Sequence, residues 1–211
     1  MNSTVCGTVS GRRVDLARPD WREISLDDLA RGLSQVNRFA GQSRRTISDA
    51  EHSLVVMRIA PPRLALAAVL HDGHEGILGD WTIPAVEALA LEVGPKLRWA
   101  ISIVKMRLDI AIARRVVEDI GLDIEEGLDW AAQEIANEMR DPAVKFADAE
   151  AFRLEDAIRA EGALQHGPSP AISAAAEYYG VLAPSIADVA SEWKSAVLAA
   201  AQVWGLERCA K

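Results

Sequence analysis

The stretch from Pro95 to Ile120 constrains this chain more than any other feature. Leu97, Ile101, Val104, Leu108, Ile112 and Val116 stay in register along it, and Gly121 stops the run. Apolar residues at that period form the buried stripe of an amphipathic helix, and a glycine just past its end is a usual stop. Similar signals recur along the chain. Ser25 opens a pattern with Asp28 three residues on and Leu26, Leu29 and Leu33 on one face. Ser48 with Glu51 is a capping box ahead of Leu54, Val55 and Ile59. Pro61-Pro62 closes that helix and opens another, expected from Arg63 through His71 to about Glu75. The polar stretch Asn37 to Thr46 reads as a loop, and so does Gly76 to Ile83, where Gly76, Gly79 and Pro84 interrupt the period. Asp129 or Asp141 is placed to cap a later helix, and Pro142 suits the first turn of one carrying Val144 to Ala160. Pro168 and Pro170 mark a connection before a last helix from Pro184 to Leu206.

These elements predict an all-α fold. Only the N-terminus departs from it: Thr8 to Leu16 alternates around Gly11, which suits a short hairpin or an extended arm. A length of 211 residues supports one substantial core, so the expected organisation is a single domain, with an arm at 1–24, a helical core at 25–160 and C-terminal helices at 161–211. An aromatic content of 5% also favours helices over a sandwich or barrel.

Charge narrows the partners. A formal net charge of −8 repels a nucleic-acid polymer, although local cations or one metal ion still permit a small phosphorylated ligand. Cys6 and Cys209 lie near opposite ends without a metal-type spacing, which suits reduced thiols and a cytoplasmic location. Neither a secretory signal nor an apolar run of membrane-spanning length is expected.

The candidate chemistry centres on histidine. Of four histidines, at 52, 71, 74 and 166, two flank an acidic pair in His71-Asp72-Gly73-His74-Glu75. On a helix His71, Asp72 and Glu75 share one face, and imidazole nitrogen with carboxylate oxygen suits a divalent transition metal. His52 lies on the preceding helix, and two antiparallel helices joined at Pro61-Pro62 bring 52 and 71 to similar heights. By spacing alone, a hydrogen-bonded core histidine competes with a metal ligand.

Flanking residues carry a resemblance. Ala50-Glu51-His52-Ser53, Leu70-His71-Asp72-Gly73-His74-Glu75, Gly79-Asp80 and Val144-Lys145-Phe146-Ala147-Asp148 occur in the order seen in HD-superfamily phosphohydrolases. More narrowly, residues 10 to about 160 resemble the bacterial 5′-deoxynucleotidase branch and its phage-encoded relatives. That branch carries an arginine–aromatic pair before the first histidine, here Arg38-Phe39, then a glutamate and an aspartate, here Glu75 and Asp80. Ser10 to Leu16 also looks like the leader of the phage-type members.

The resemblance implies a helical HD domain in which His52, His71, Asp72 and Asp148 hold one divalent ion, whether Mn, Co, Fe, Ni, Zn or Mg. Such an ion polarises a phosphoryl group and lowers the pKa of water from ~15.7 towards ~7. Glu75 is implied to orient that water or relay a proton, Arg38 to grip the phosphate, and Asp80 to contact the sugar or leaving-group end. Phe39 stands where the bacterial nucleotidases carry tryptophan, and Trp81-Thr82-Ile83 departs from a proline-rich form. His74 is open between a role beside the site and a solvated helix position. Arg44-Arg45 precede the capped helix and are the nearby reserve of positive charge; Arg114-Arg115 reads as a polar helix face, and His166 lies beside Gly167-Pro168 in a connection. The six tryptophans are expected mostly as core or interface anchors.

The expected activity is hydrolysis of a nucleotide phosphate ester, with 5′-deoxynucleoside monophosphates ahead of a triphosphohydrolase and of a nucleotide-binding regulatory module. A homodimer is expected, with the apolar helix Val189 to Leu206 a candidate interface.

Overall fold

The computed structural model describes residues 4–43, 45–121, 127–160 and 185–209. The N-terminal arm is a small antiparallel hairpin, β1 (Val5–Gly7) against β2 (Arg13–Asp15), with Cys6 opposite Val14. Val14 is its buried residue, and it joins the hairpin to the helical core. Everything else regular among the described residues is helical, so the all-α expectation holds.

α1 (Leu26–Gln35) starts where Ser25 accepts a hydrogen bond from the Asp28 amide, and it buries Leu26, Leu29 and Leu33. A 3₁₀ turn at Arg38–Gly41 follows, tied down by a bridge between Asn37 and Ser48. α2 (Asp49–Ile59) carries the complete capping box of Ser48 and Glu51. From Asp49 to Val56 every residue of α2 is buried, because α1, α3 and α8 (Pro142–Ala160) pack around it. Any polar side chain in its middle therefore needs partners inside the protein.

After Pro61 and a 3₁₀ turn, α3 (Ala65–Leu70) stops sooner than the expected end near Glu75. His71 to His74 form a turn: the Gly73 amide donates to Leu70 O at 2.8 Å and the Glu75 amide to Asp72 O at 2.9 Å. α4 (Glu75–Leu78) then begins, so Gly76, Ile77 and Leu78 of the expected loop are helical. Packing explains the departure. α4 lies so close to α1 that a Cβ on Gly32 would stand 2.1 Å from Gly76 O, and only two glycines permit that approach.

α5 (Ile83–Val93) was not anticipated; Pro84 sits in its first turn, where a proline is tolerated. α6 (Lys96–Asp119) matches the expected stripe, with Leu108, Ile112 and Val116 buried and Leu97, Ile101 and Val104 half-buried. α7 (Leu128–Glu138) is led in by Gly127 rather than capped by Asp129, whereas Asp141 accepts from the Ala143 amide at the start of α8. The last helix, α9 (Ile186–Cys209), packs on α1, α3 and α2. Its Val189, Trp193, Val197, Ala201 and Trp204 belong to the protein's own core, while Val203 and Leu206 of the stretch expected as an interface are exposed. Trp193 is fully buried and donates its indole N–H to Val69 O at 3.2 Å. Pro168, Pro170 and His166 lie outside the described residues, as does Arg44. Among the described residues no helix is long and apolar enough to cross a membrane.

Candidate metal centre

Three helices bring four side-chain ligand atoms together. His52 lies one turn into α2, fully buried; His71 and Asp72 sit in the turn after α3; Asp148 projects from the first half of α8. His52 Nε2 is 3.3 Å from His71 Nε2, 3.7 Å from Asp72 Oδ2 and 3.1 Å from Asp148 Oδ1. His71 Nε2 is 3.1 Å from Asp72 Oδ2 and 3.9 Å from Asp148 Oδ1. Donors bound to one divalent ion at ~2.0–2.2 Å lie roughly 3–3.5 Å from one another, so these spacings need little adjustment to admit an ion. The chain thus contains a His/Asp group that could hold a metal ion.

The outer nitrogens of both rings are already engaged, which fixes which nitrogens face inward. His71 Nδ1 donates to Ala68 O at 2.9 Å, and His52 Nδ1 donates to Glu155 Oε1 at 2.7 Å. Each Nε2 is therefore the nitrogen that faces the cluster and would bind a metal ion, which displaces any proton it carries. Without an ion, the four groups satisfy one another electrostatically. Burial alone would lower the pKa of His52, but the Glu155 carboxylate and hydrogen bonds to Asp148 and Glu155 raise it to about 10. Burial would raise Asp72, yet His71 and His52 hold it well below the usual carboxylate range; Asp148 is lowered in the same way by its hydrogen bond to His52 and by His71. Asp148 is also the cluster's opening, with a side chain 43% exposed where His52, His71 and Asp72 are shielded.

Arg38 lies beside this group, as expected. Its Nε donates to Glu155 Oε2 at 3.2 Å, and Nη1 is 3.6 Å from Asp72 Oδ2 and 3.7 Å from Asp49 Oδ1. Burial opposes its charge, but the Glu155, Asp72 and Asp49 carboxylates more than compensate and raise its pKa. Phe39, next in sequence, takes a left-handed backbone (φ 57°), as does Ala40 (φ 52°). A non-glycine pair in that region is strained, and the Phe39 ring meets Phe152 of α8, ring centroids 5.5 Å apart.

Glu75, buried at the head of α4, accepts a hydrogen bond on Oε1 from Lys105 Nζ at 2.9 Å, while Oε2 is buried without a hydrogen-bond partner. His74 is not a solvated helix residue: it is buried, and its Nδ1 donates to Asp109 Oδ1 at 2.8 Å. Asp72, His74 and Glu75 make a second group that could hold a metal ion. Asp80 is half-buried; burial first, then the charge of Glu75, raises its pKa.

Four residues of this neighbourhood escaped the sequence: Glu155, Asp49, Lys105 and Asp109. Asp49 is fully buried with neither oxygen hydrogen-bonded, and burial together with the Glu75 charge pushes its pKa up to about 9. Glu155 had a readable signal, because it lies seven residues after Asp148 and hence two turns along the same face of α8. Arg45, the described half of the expected reserve of charge, is instead salt-bridged to the capping-box Glu51 at 2.6 Å. Arg114 pairs with Asp129 and lies over Trp21, and Arg115 pairs with Asp119, as a polar helix face should. Of the six tryptophans, Trp193 and Trp204 are core and Trp21 packs against it, but Trp81, Trp99 and Trp130 are exposed.

No family model matches the chain. It is similar to an uncharacterized protein of Rhodobacter capsulatus, 42% identical over 90 residues that make up 38% of this chain and 46% of that protein. It is also similar to YfdR, an uncharacterized protein of Escherichia coli K12, 32% identical over 78 residues, 37% of this chain and 43% of YfdR. The chain therefore spans less than half the length of these curated relatives.

Proposed function

We propose that this protein is an HD-superfamily phosphohydrolase that cleaves a nucleotide phosphate ester, with 5′-deoxynucleoside monophosphates as its best substrates and nucleoside plus phosphate as products. The observation that carries the proposal is the convergence of His52 Nε2, His71 Nε2, Asp72 Oδ2 and Asp148 Oδ1 at 3.1–3.9 Å beside the buried Arg38 guanidinium. A structural cluster alone has no need of two imidazole lone pairs and two carboxylates facing one point, because buried polar groups without a ligand are costly.

His52, His71, Asp72 and Asp148 would hold a divalent ion. Bound there, it supplies Lewis-acid polarisation of the phosphoryl group and acidifies water. The chain's own residues do the rest. Arg38 offers a planar fork of N–H donors to the phosphate, and Glu155 holds its Nε so that the fork cannot swing away. The Glu75 carboxylate takes the proton of the attacking water through Oε2, the oxygen that nothing else occupies. Phe39 and Phe152 form an aromatic wall suited to the sugar or base, and Asp80 takes a hydroxyl at that end. The reaction belongs with the cytoplasmic nucleotide pool, a setting that suits the free thiol of Cys6.

A monophosphate is favoured over a triphosphate because, among the described residues, Arg45 is tied to Glu51 and Lys105 to Glu75, with Arg38 at the phosphate position. The test is a panel of nucleoside mono- and triphosphates assayed with Mn²⁺, Co²⁺, Mg²⁺ and Zn²⁺, on the wild type and on Arg38→Ala and Arg45→Ala. Monophosphate turnover that collapses in Arg38→Ala and survives in Arg45→Ala is the expected result. Release of tripolyphosphate, lost in Arg45→Ala, would establish the triphosphohydrolase instead. No turnover of any nucleotide would leave a binding module.

A further inference from the structure

His74 and Glu75 are neighbours in sequence, and one helix holds both. Asp109 Oδ1 accepts from His74 Nδ1 at 2.8 Å, and Lys105 Nζ donates to Glu75 Oε1 at 2.9 Å. Lys105 and Asp109 are four residues apart, so they stand one above the other on the same face of α6. Asp109 is itself backed by Arg140, whose Nη2 lies 3.4 Å from Oδ2. Gly73, between the two helices, packs within ordinary contact of Ile112 of α6: a Cβ there would be 3.6 Å from it. Lys105 is half-buried among carboxylates, with Glu75, Asp72 and Asp80 all favouring its charged form. Of those three it touches Glu75, and that contact leaves the carboxylate one unoccupied oxygen.

We propose that Lys105 is a positioning residue which, with the Asp109-held His74 ring 3.7 Å from the same Oε1, clamps the Glu75 carboxylate so that Oε2 alone accepts the proton of the attacking water. The inference rests on the hydrolysis proposed above and assigns its proton transfer to one atom. As the water oxygen bonds to phosphorus, its O–H bond breaks and the proton passes to Glu75 Oε2. The ester P–O bond breaks, and the departing sugar oxygen takes that proton back. Water and ester are consumed, alcohol and phosphate are released, and Glu75 returns to its starting state. A carboxylate free to rotate would present either oxygen at variable distance, and misplacement of about 1 Å can cost roughly 10²-fold in rate. The lysine removes that freedom from behind, without contact with substrate.

The experiment compares wild type, Lys105→Met, Lys105→Gln, Lys105→Arg, Glu75→Gln and the Glu75→Gln/Lys105→Met double variant on deoxynucleoside monophosphates with Mn²⁺. Lys105→Met should lower kcat roughly 10- to 100-fold with KM within about twofold of wild type. Bound Mn²⁺, read by elemental analysis, should not change, and Lys105→Arg should recover most of the loss because it keeps a donor. In the Glu75→Gln background, Lys105→Met should have no further effect, since its only route to the reaction is through Glu75. Should Lys105→Met fail to fold, Lys105→Gln, which is uncharged and one bond shorter and so loses the charged contact with Oε1, is read by the same criteria. A raised KM at unchanged kcat, or an equal loss in both backgrounds, would overturn the clamp in favour of direct phosphate binding. Full activity of Lys105→Met beside an inactive Glu75→Gln overturns the clamp and spares the role of Glu75. Full activity of Glu75→Gln, or no turnover by wild type, overturns both.

Discussion

Glu155 uses both carboxylate oxygens inside the candidate site, one on His52 Nδ1 at 2.7 Å and one on Arg38 Nε at 3.2 Å. It therefore joins a proposed metal ligand to the proposed phosphate grip, from a fully buried position on the helix that also carries Asp148. Carboxylate partners of this kind fix the ring tautomer and raise its basicity, and their loss typically lowers metal affinity 10–100-fold. Glu155→Gln should reduce Mn²⁺ affinity by about that factor and also raise KM, because a neutral amide no longer anchors the Arg38 guanidinium. Calorimetric titration with Mn²⁺ and a Michaelis analysis check the two effects; wild-type values in both would remove Glu155 from the site.

At the scale of the element, capping and period were the legible part, and close packing was not. The Ser25 and Ser48 caps and the long α6 stripe appear where the local signals put them, because each rests on hydrogen bonds or burial within a single helix. The break after Leu70 was hidden. It depends on α4 reaching α1 through Gly32 and Gly76, a contact between segments more than forty residues apart. Lys105 and Asp109 were hidden for a related reason. A basic and an acidic residue four apart usually form an exposed pair along a helix, yet here each turns inward to a different residue of the His74-Glu75 pair. The four proposed ligands could be named because motifs order them along the chain, and the folded helices bring those four side chains together. The roles of its supporting carboxylates depend on α8 and α6 crossing the site, which no local pattern records.

At the scale of the whole molecule, the metal-free protein concentrates protons at its centre. His52 keeps its proton up to about pH 10, because burial is outweighed by Glu155. His74 does so to about 9, against burial and through its Asp109 hydrogen bond, and Asp49 to about 9 through burial and the Glu75 charge. In the unfolded chain the histidines release theirs near 6.5 and the aspartate near 3.8. All three folded values are raised, so between about pH 7 and 9 the folded state holds more protons and stability must fall as pH rises. In EDTA, Tm should drop by several degrees from pH 6.5 to 9. A flat or rising Tm would contradict the electrostatics of the cluster. An ion that displaces the His52 proton reverses this dependence, so Mn²⁺ should stabilise the protein more at pH 8 than at pH 6.

The most direct measurement is metal content after equilibrium dialysis against Mn²⁺, by elemental analysis of wild type and of His52→Ala, His71→Ala, Asp72→Ala and Asp148→Ala. The account predicts bound Mn²⁺ in wild type and a marked loss in each variant, because removing any one ligand leaves the others as an uncompensated, partly buried charge cluster. Undiminished metal in His71→Ala would contradict it.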